Sequence, residues 1–280
     1  MDTSFWSRLS RRRVLDRESV DTPDYDFGLK AFRVLDLLAW YFRVEVGGLD
    51  NVPEGPAVMV GNHNSGITFF DPMFLGVAWY RYKKGDEFVY LVHDAMLATP
   101  GLGAYLRKMG AARASTRAAT EALTSGRKIM VFPGGNHEAF RPFKDRYKID
   151  MGRHRGFCKL ALRHHVPVVP VVGVGSHETF FVLARGSRIA RATGLDKLLR
   201  IESFPLILSL PWGLSMGPVF HFPLPAKITI TVGEPIPVDD FPPDAADDPA
   251  AVDALFHRVA NAMQAIMDNE SARRRWPVVG

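Results

Sequence analysis

The sequence predicts an α/β fold, a mixed β-sheet flanked by helices and preceded by an N-terminal amphipathic helical segment. Two observations carry this. Short β-branched runs alternate along the chain with longer stretches of helical period, the pattern of a sheet covered by helices. A composition of 47% hydrophobic and 23% charged residues over 280 positions lies in the globular range and supplies a sizeable core.

Residues 1–26 are polar and basic, with Arg8, Arg11, Arg12 and Arg13 clustered, and are expected to be loosely ordered. They contain no apolar h-region, so no secretory signal is read and a cytoplasmic location is expected. Residues 27–42, "FGLKAFRVLDLLAWYF", predict a helix: Lys30, Arg33 and Asp36 fall on one side of the wheel, Phe32, Leu35, Leu38 and Phe42 opposite. Three charges in sixteen residues make a poor bilayer span, so this helix packs on the core or lies in a membrane interface. Strands are predicted at 57–61, 87–92, 128–132, 166–174 and 227–232, with helices at 71–80, 95–109, 115–125, 153–165 and about 250–269. The organisation is therefore residues 1–43 as a basic segment with a membrane-facing helix, and 44–280 as an α/β domain.

Residues 203–226, "SFPLILSLPWGLSMGPVFHFPLPA", contain no Asp, Glu, Lys or Arg. Five prolines exclude a spanning helix, because each interior proline removes a hydrogen bond that lipid cannot replace. An irregular apolar flap is predicted, buried against the protein or dipping into a membrane surface. The formal charge of +5 favours an anionic partner. No zinc-knuckle spacing or aromatic–basic interleave singles out nucleic acid. The single cysteine, Cys158, excludes a disulfide framework and reads as a buried structural thiol.

Two stretches carry candidate chemistry. "GNHNSGITFFDP" (61–72) places His63 at the end of an apolar strand, where open α/β sheets bind ligands. Asp71-Pro72 fits a helix cap and first turn, which competes with a catalytic role for Asp71. "VFPGGNHEAFRP" (131–142) runs a strand into Gly134 and Gly135, whose backbone can approach a ligand closely, followed by Glu138. "HEAFR" and "HETFF" lack the second histidine of a zinc-protease helix, and no metal is expected. "GLSMG" (213–217) matches the hydrolase elbow pattern around Ser215, but Pro211 and Pro218 flank it where a strand and a helix are required.

Taken in order, five stretches resemble the glycerolipid and lysophospholipid acyltransferase superfamily, most closely its monoacylglycerol/diacylglycerol-acyltransferase-like branch. They are "VEVGGLDNVPEGPAVMVGNH", "PGLGAYLRKMGAARAS", "SGRKIMVFPGGNHE", "VPVVPVVGVG" and "FPLPAKITITVGEPI", covering roughly residues 44 to 240. The resemblance implies acyl transfer from a thioester, acyl-CoA or acyl carrier protein as co-substrate, to a glycerolipid hydroxyl at a membrane surface. No other cofactor and no nucleic acid are implied. The family's catalytic histidine maps onto His63 as general base and its aspartate onto Asp71. The family's substrate-binding positions map onto Arg107, Gly134, Gly135 and Glu138.

This chain departs from the family pattern twice. The common spacing leaves four residues between histidine and aspartate, a position held here by Thr68, so Asp71 requires a longer loop. Phosphate-acylating members carry Phe-Pro-Glu-Gly-Thr-Arg, where this chain has Gly134 for the glutamate and His137 for the arginine. That removes a bidentate phosphate fork, with Arg141 the nearby substitute, and favours a neutral mono- or diacylglycerol over a lysophospholipid. The expected setting is peripheral, on the cytoplasmic face of a membrane. Two other readings remain open: a lipid hydrolase using Ser215, and a lipid-binding member of the fold without the chemistry.

Overall fold

A computed structural model describes residues 20, 24–64, 66, 68–83, 88–186, 204–217 and 221–280. The basic cluster at 8–13 lies outside the described residues. The helices are α1 (Tyr25–Tyr41), α2 (Phe70–Tyr82), α3 (Asp94–Ala98), α4 (Leu102–Lys108), α5 (Thr116–Thr124), α6 (Gly135–Ala139), α7 (Gly156–His164) and α8 (Pro249–Ala272). The strands are β1 (Glu45–Gly47), β2 (Val58–Gly61), β3 (Phe88–Val92), β4 (Ala111–Arg113), β5 (Lys128–Val131), β6 (Val168–Val174), β7 (Phe181–Ala184), β8 (Leu206–Ser209), β9 (Gly213–Met216) and β10 (Thr229–Val232).

A seven-stranded mixed sheet runs in the order β1-β10-β6-β2-β5-β3-β4. Strands β6, β2, β5, β3 and β4 are parallel, and β10 pairs antiparallel with β6. Alternation along the buried central strands sends residues to two cores. Val58, Val60, Ile129 and Val172 face Ala118 and Ala122 of α5, Cys158 and Ala161 of α7, and Leu255, Val259 and Met263 of α8. Met59, Met130, Val169 and Val171 face Phe70, Phe74, Leu75 and Trp79 of α2, with Phe42 beyond the end of α1. The result is a three-layer α/β/α body with the parallel strands at its centre. Cys158 is fully buried in the first core, and burial pushes its thiol up to about 12, as a structural residue requires.

The predicted strands and helices are found, with differences at short elements. The helix expected over 95–109 is two, α3 and α4, because Gly101 turns the chain at φ 77 behind Pro100. Strands β1 and β4 have three residues each, too few to show a period. Helix α1 begins where Asp24 accepts the Phe27 N–H at 3.0 Å. It seats Phe32 and Leu35 against Val77 of α2, and Arg81 bridges to Asp36 at 2.7 Å. The irregular flap is corrected: described residues of 203–226 form strands β8 and β9, which join β7 in a separate three-stranded antiparallel sheet. Its prolines flank the strands rather than interrupt them, so the ladder loses nothing.

Leu255 is completely buried between α8 and the sheet. Leu255→Ala should lower unfolding stability by about 2–5 kcal/mol, through the lost transfer energy and the cavity left behind. A urea midpoint measurement checks this.

Candidate active site

The carboxyl ends of the adjacent parallel strands β6, β2 and β5 open on one edge of the sheet, the place where such sheets bind ligands. Beyond β2 come Asn62, His63 and Asn64. Beyond β5 come Gly134 and Gly135, and beyond β6 comes Ser176. Gly61 is still part of β2. Its lack of a side chain serves close packing rather than a sharp turn, since a Cβ there would lie 2.4 Å from the Phe132 ring.

Asn62 fixes the loop to β6. Its Nδ2 donates to the Gly173 carbonyl at 3.0 Å, and its Oδ1 accepts the Gly173 N–H at 2.7 Å. Asn64 adds a second donor to the same carbonyl at 2.8 Å. Between them the His63 N–H donates to Glu138 Oε2 at 2.7 Å. The imidazole lies near the rings of Phe69 and Phe132, at 5.2 and 5.8 Å between centroids. Its Nδ1 faces the Asn64 carbonyl at 3.1 Å. A carbonyl only accepts, so Nδ1 carries the proton and Nε2 is left as the base. Burial is the main cause that lowers the imidazole to about 4, so the neutral base form dominates at neutral pH.

The expected His63–Asp71 pair finds each group with other partners among the described residues: His63 Nδ1 is turned to the Asn64 carbonyl, and Asp71 to Ser176 and Asn64. Phe69, at φ 51, caps α2 without a side-chain bond, so Asp71 is a first-turn residue and not the cap. The helix turns Asp71 toward β6, where Gly173 leaves the space: a Cβ there would meet the carboxyl carbon at 2.8 Å. The Ser176 hydroxyl donates to Asp71 Oδ1, and the Asn64 side chain also bonds this carboxyl. Burial raises Asp71 to about 6 against the pull of those two donors.

Glu138 and Arg141, expected to touch substrate, lie inside the protein instead. Glu138 Oε2 holds the His63 amide and Oε1 accepts the Asp150 N–H at 3.1 Å. Arg141 donates to the carbonyls of His63 (3.1 Å), Glu138 (3.0 Å) and Arg146 (2.9 Å), and to Asn64 Oδ1 at 2.5 Å. Both are fully buried. A guanidinium committed this way braces the loop and cannot fork a phosphate. Gly134 serves the same assembly, because a Cβ there would stand 2.3 Å from Glu138 Oε2. The Gly135 amide donates to the Phe132 carbonyl at 3.2 Å, so it is engaged in the turn rather than offered to an oxyanion.

Arg107 is separated from the others. It sits on α4, ahead of the amino end of β4, whereas His63 follows the carboxyl end of β2. The arginine level with that end is Arg113, paired with Val92 in register and forked onto Asp94 at 2.8 and 2.9 Å. Arg113 and Ser176 were missed by sequence reasoning. Their one available signal was a polar residue at or just beyond the end of an apolar run. Ser215 stands within β9 and its buried Oγ has no hydrogen-bond partner, so the strand–elbow–helix of a hydrolase nucleophile is absent there. A polar cavity of about 260 Å³ is lined by Arg141, Asp145, Lys148, Ile149, Asp150 and Arg185. Among the described residues, no group of three or more His, Cys, Asp and Glu gathers as a metal site.

A histidine beyond the carboxyl end of a parallel strand, with Nδ1 turned to the Asn64 carbonyl and its ring beside Phe69 and Phe132, is a titratable group at this edge of the sheet. Residues 43–174 match the family model described as Acyltransferase. An uncharacterized protein of Mycobacterium tuberculosis is 34% identical over 271 residues, spanning 95% of this chain and 73% of that protein. The chain belongs to the acyltransferase family. Two vertebrate proteins named "DGAT1/2-independent enzyme synthesizing storage lipids" are also similar. The chicken protein is 26% identical over 82% of this chain and 65% of its own length, the human one 27% over 80% and 60%. The chain thus spans less than two thirds of either. The crystal structure of the 1-acyl-sn-glycerophosphate (LPA) acyltransferase PlsC from Thermotoga maritima shares the fold, with a TM-score of 0.50 and 17% identity over 97% of this chain and 91% of that one.

The two buried groups give opposite pH dependences of stability. His63 falls from 6.5 to about 4 on folding, so the unfolded chain binds the extra proton between those values and stability rises with pH there. Asp71 rises from 3.8 to about 6, so the folded chain binds the extra proton and stability falls as pH climbs through that range. Removing one group should expose the slope of the other, on the order of 1–3 kcal/mol. Asp71→Asn should gain stability as pH rises from about 4 to 6.5, and His63→Ala should lose it from about 4 to 6. Urea unfolding at spaced pH values reads both slopes.

Proposed function

We propose that the protein transfers a fatty acyl group from a thioester, acyl-CoA or acyl carrier protein, to the hydroxyl of a glycerolipid. The observation that carries this reading is the His63 imidazole, whose Nδ1 proton is held by the Asn64 carbonyl so that Nε2 is free as base at the strand ends. An alcohol is a weak nucleophile at neutral pH. As its oxygen bonds to the thioester carbonyl carbon, Nε2 takes the hydroxyl proton. When the carbon–sulfur bond breaks, the imidazolium returns that proton to the leaving thiolate. Asp71 acts as a positioning residue: with Ser176 it holds Asn64, and Asn64 holds the imidazole. Glu138 and Arg141 fix the backbone on either side of the base.

A neutral mono- or diacylglycerol is the preferred acceptor. Arg141 is spent inside the protein, His137 replaces the phosphate-binding arginine, and the vertebrate relatives are named for storage lipids. The enzyme works as a peripheral protein at the cytoplasmic face of a membrane, where such acceptors reside. Among the described residues, no helix is long and apolar enough to cross a bilayer.

Incubation with labelled acyl-CoA and a panel of glycerol, monoacylglycerol, diacylglycerol and lysophospholipids tests this. The expected result is thiol release matched by ester formation, faster with neutral glycerides than with lysophosphatidate. His63→Ala should lower the rate roughly 10²–10⁴-fold while remaining folded. Free fatty acid without ester would support hydrolysis instead. Asp71→Asn should lower kcat more than it raises KM, because it disturbs the base and not substrate contact.

A further inference from the structure

The hairpin of β8 and β9 is built inside out. In register, Leu206 faces Met216, Ile207 faces Ser215, and Leu208 faces Leu214. Ile207 is buried in a cluster with Ala139, Phe140, Phe180 and Val182, and Ser209 and Ser215 share that inner side, each with a buried hydroxyl lacking a partner. The outer side carries Leu208, Leu214 and Met216, all exposed. A half-buried strand in water puts hydroxyls outside and leucines inside. The reverse order is the pattern of strands whose outer face meets lipid.

The apolar surface extends beyond the hairpin. Leu210 accepts the Phe222 N–H at 2.8 Å, which brings exposed Phe222 beside the hairpin turn. One residue on, the Pro223 carbonyl accepts the Tyr41 hydroxyl of α1 at 2.8 Å. Arg43 ties the same region to the chain's last residues, donating to the carbonyls of Pro225 at 2.6 Å and Val278 at 2.9 Å. Three tryptophans stand on these joined segments: Trp40 is 76% exposed, Trp212 62% and Trp276 66%. Trp79, by contrast, is buried in the core at 3%. Tryptophan with more than half its surface exposed on three linked segments is costly in water and favoured where hydrocarbon meets headgroups. The described residues 204–217 and 221–226 contain no charged side chain, while the exposed Arg43 lies against Pro225. An apolar surface with a cation at its border complements an anionic bilayer.

We propose that the β8–β9 hairpin, the end of α1 and residues 276–279 form one surface that seats in the interface of an anionic membrane, with Trp40, Trp212 and Trp276 as its anchors. This rests on the peripheral-membrane reading above and is independent of the acyl transfer. The inner side of the same small sheet backs the catalytic loop, because Gly66 lies against the rings of Phe180 and Phe140. The surface therefore sets His63 behind a sheet whose far side touches lipid.

Flotation of the full chain with phosphatidylcholine vesicles containing phosphatidylglycerol tests the proposal. Trp212→Ser combined with Leu214→Ser changes only exposed side chains and should weaken partitioning by about tenfold or more. Leu102→Ser, an exposed leucine on α4, should leave it unchanged. If the wild-type chain fails to bind at low salt, the membrane reading fails and this surface with it. If the wild type binds and the double variant binds equally well, the membrane reading stands and this surface is overturned. A concentration-dependent dimer that the double variant abolishes, with vesicle binding unchanged, would make the surface an interface between copies and overturn the lipid assignment. Transfer to a water-soluble short-chain alcohol should persist in the double variant, which separates docking from chemistry.

Discussion

The site depends on one buried carboxylate. Glu138 has no access to solvent, yet it receives the main-chain N–H of His63 and that of Asp150. Burial raises this carboxyl, while Arg141 and the two main-chain N–H donors pull the other way. The surrounding choices follow from it. Gly134 is a glycine because any side chain would strike the carboxylate. Arg141 is an arginine because one planar group must reach three carbonyls and an amide oxygen at once. A glycine-glycine-carboxylate stretch that reads as a ligand cradle is, in space, the foundation of the loop that holds the base.

Much of the architecture is legible in the linear chain. The runs at 57–61, 128–132 and 166–174 are continuous and β-branched because their strands are buried on both faces, and the structure makes them the central parallel strands. His63 follows the first of these runs and lands at the carboxyl edge accordingly. The partners of the loop are far away in sequence and left no local trace. Glu138 is 75 residues from His63, and Ser176 is 105 from Asp71. The family resemblance, and not the spacing, suggested a His63–Asp71 pair. It could not show that Gly173 opens a place for that carboxylate beneath the loop. The resemblance placed Arg107 among the substrate-binding positions, but α4 ends before β4 starts, so Arg107 stands ahead of the amino end of a strand that runs parallel to β2.

The hairpin shows a second limit of linear reading. Its sequence has only Ser209 and Ser215 among apolar residues, too few for an alternation that distinguishes an inner from an outer side. Only the pairing of Ile207 with Ser215 and Leu208 with Leu214 reveals that hydroxyls point inward. Prolines that argued for irregularity instead bracket two short regular strands.

The loop after β6 is held from the opposite end of the molecule. Glu178, two residues beyond Ser176, accepts from Arg274 at 2.7 Å and from the Val278 amide at 2.6 Å, across 96 and 100 residues of chain. During synthesis, β2, β5 and β6 emerge long before those partners do. β1 waits for β10 before it can pair, and one core waits for α8, so these close only as residues 229–272 appear, and the fastening at Glu178 follows when residues 274–278 leave the ribosome. A nascent chain therefore gains its central strands first and the anchoring of the Ser176–Glu178 turn last.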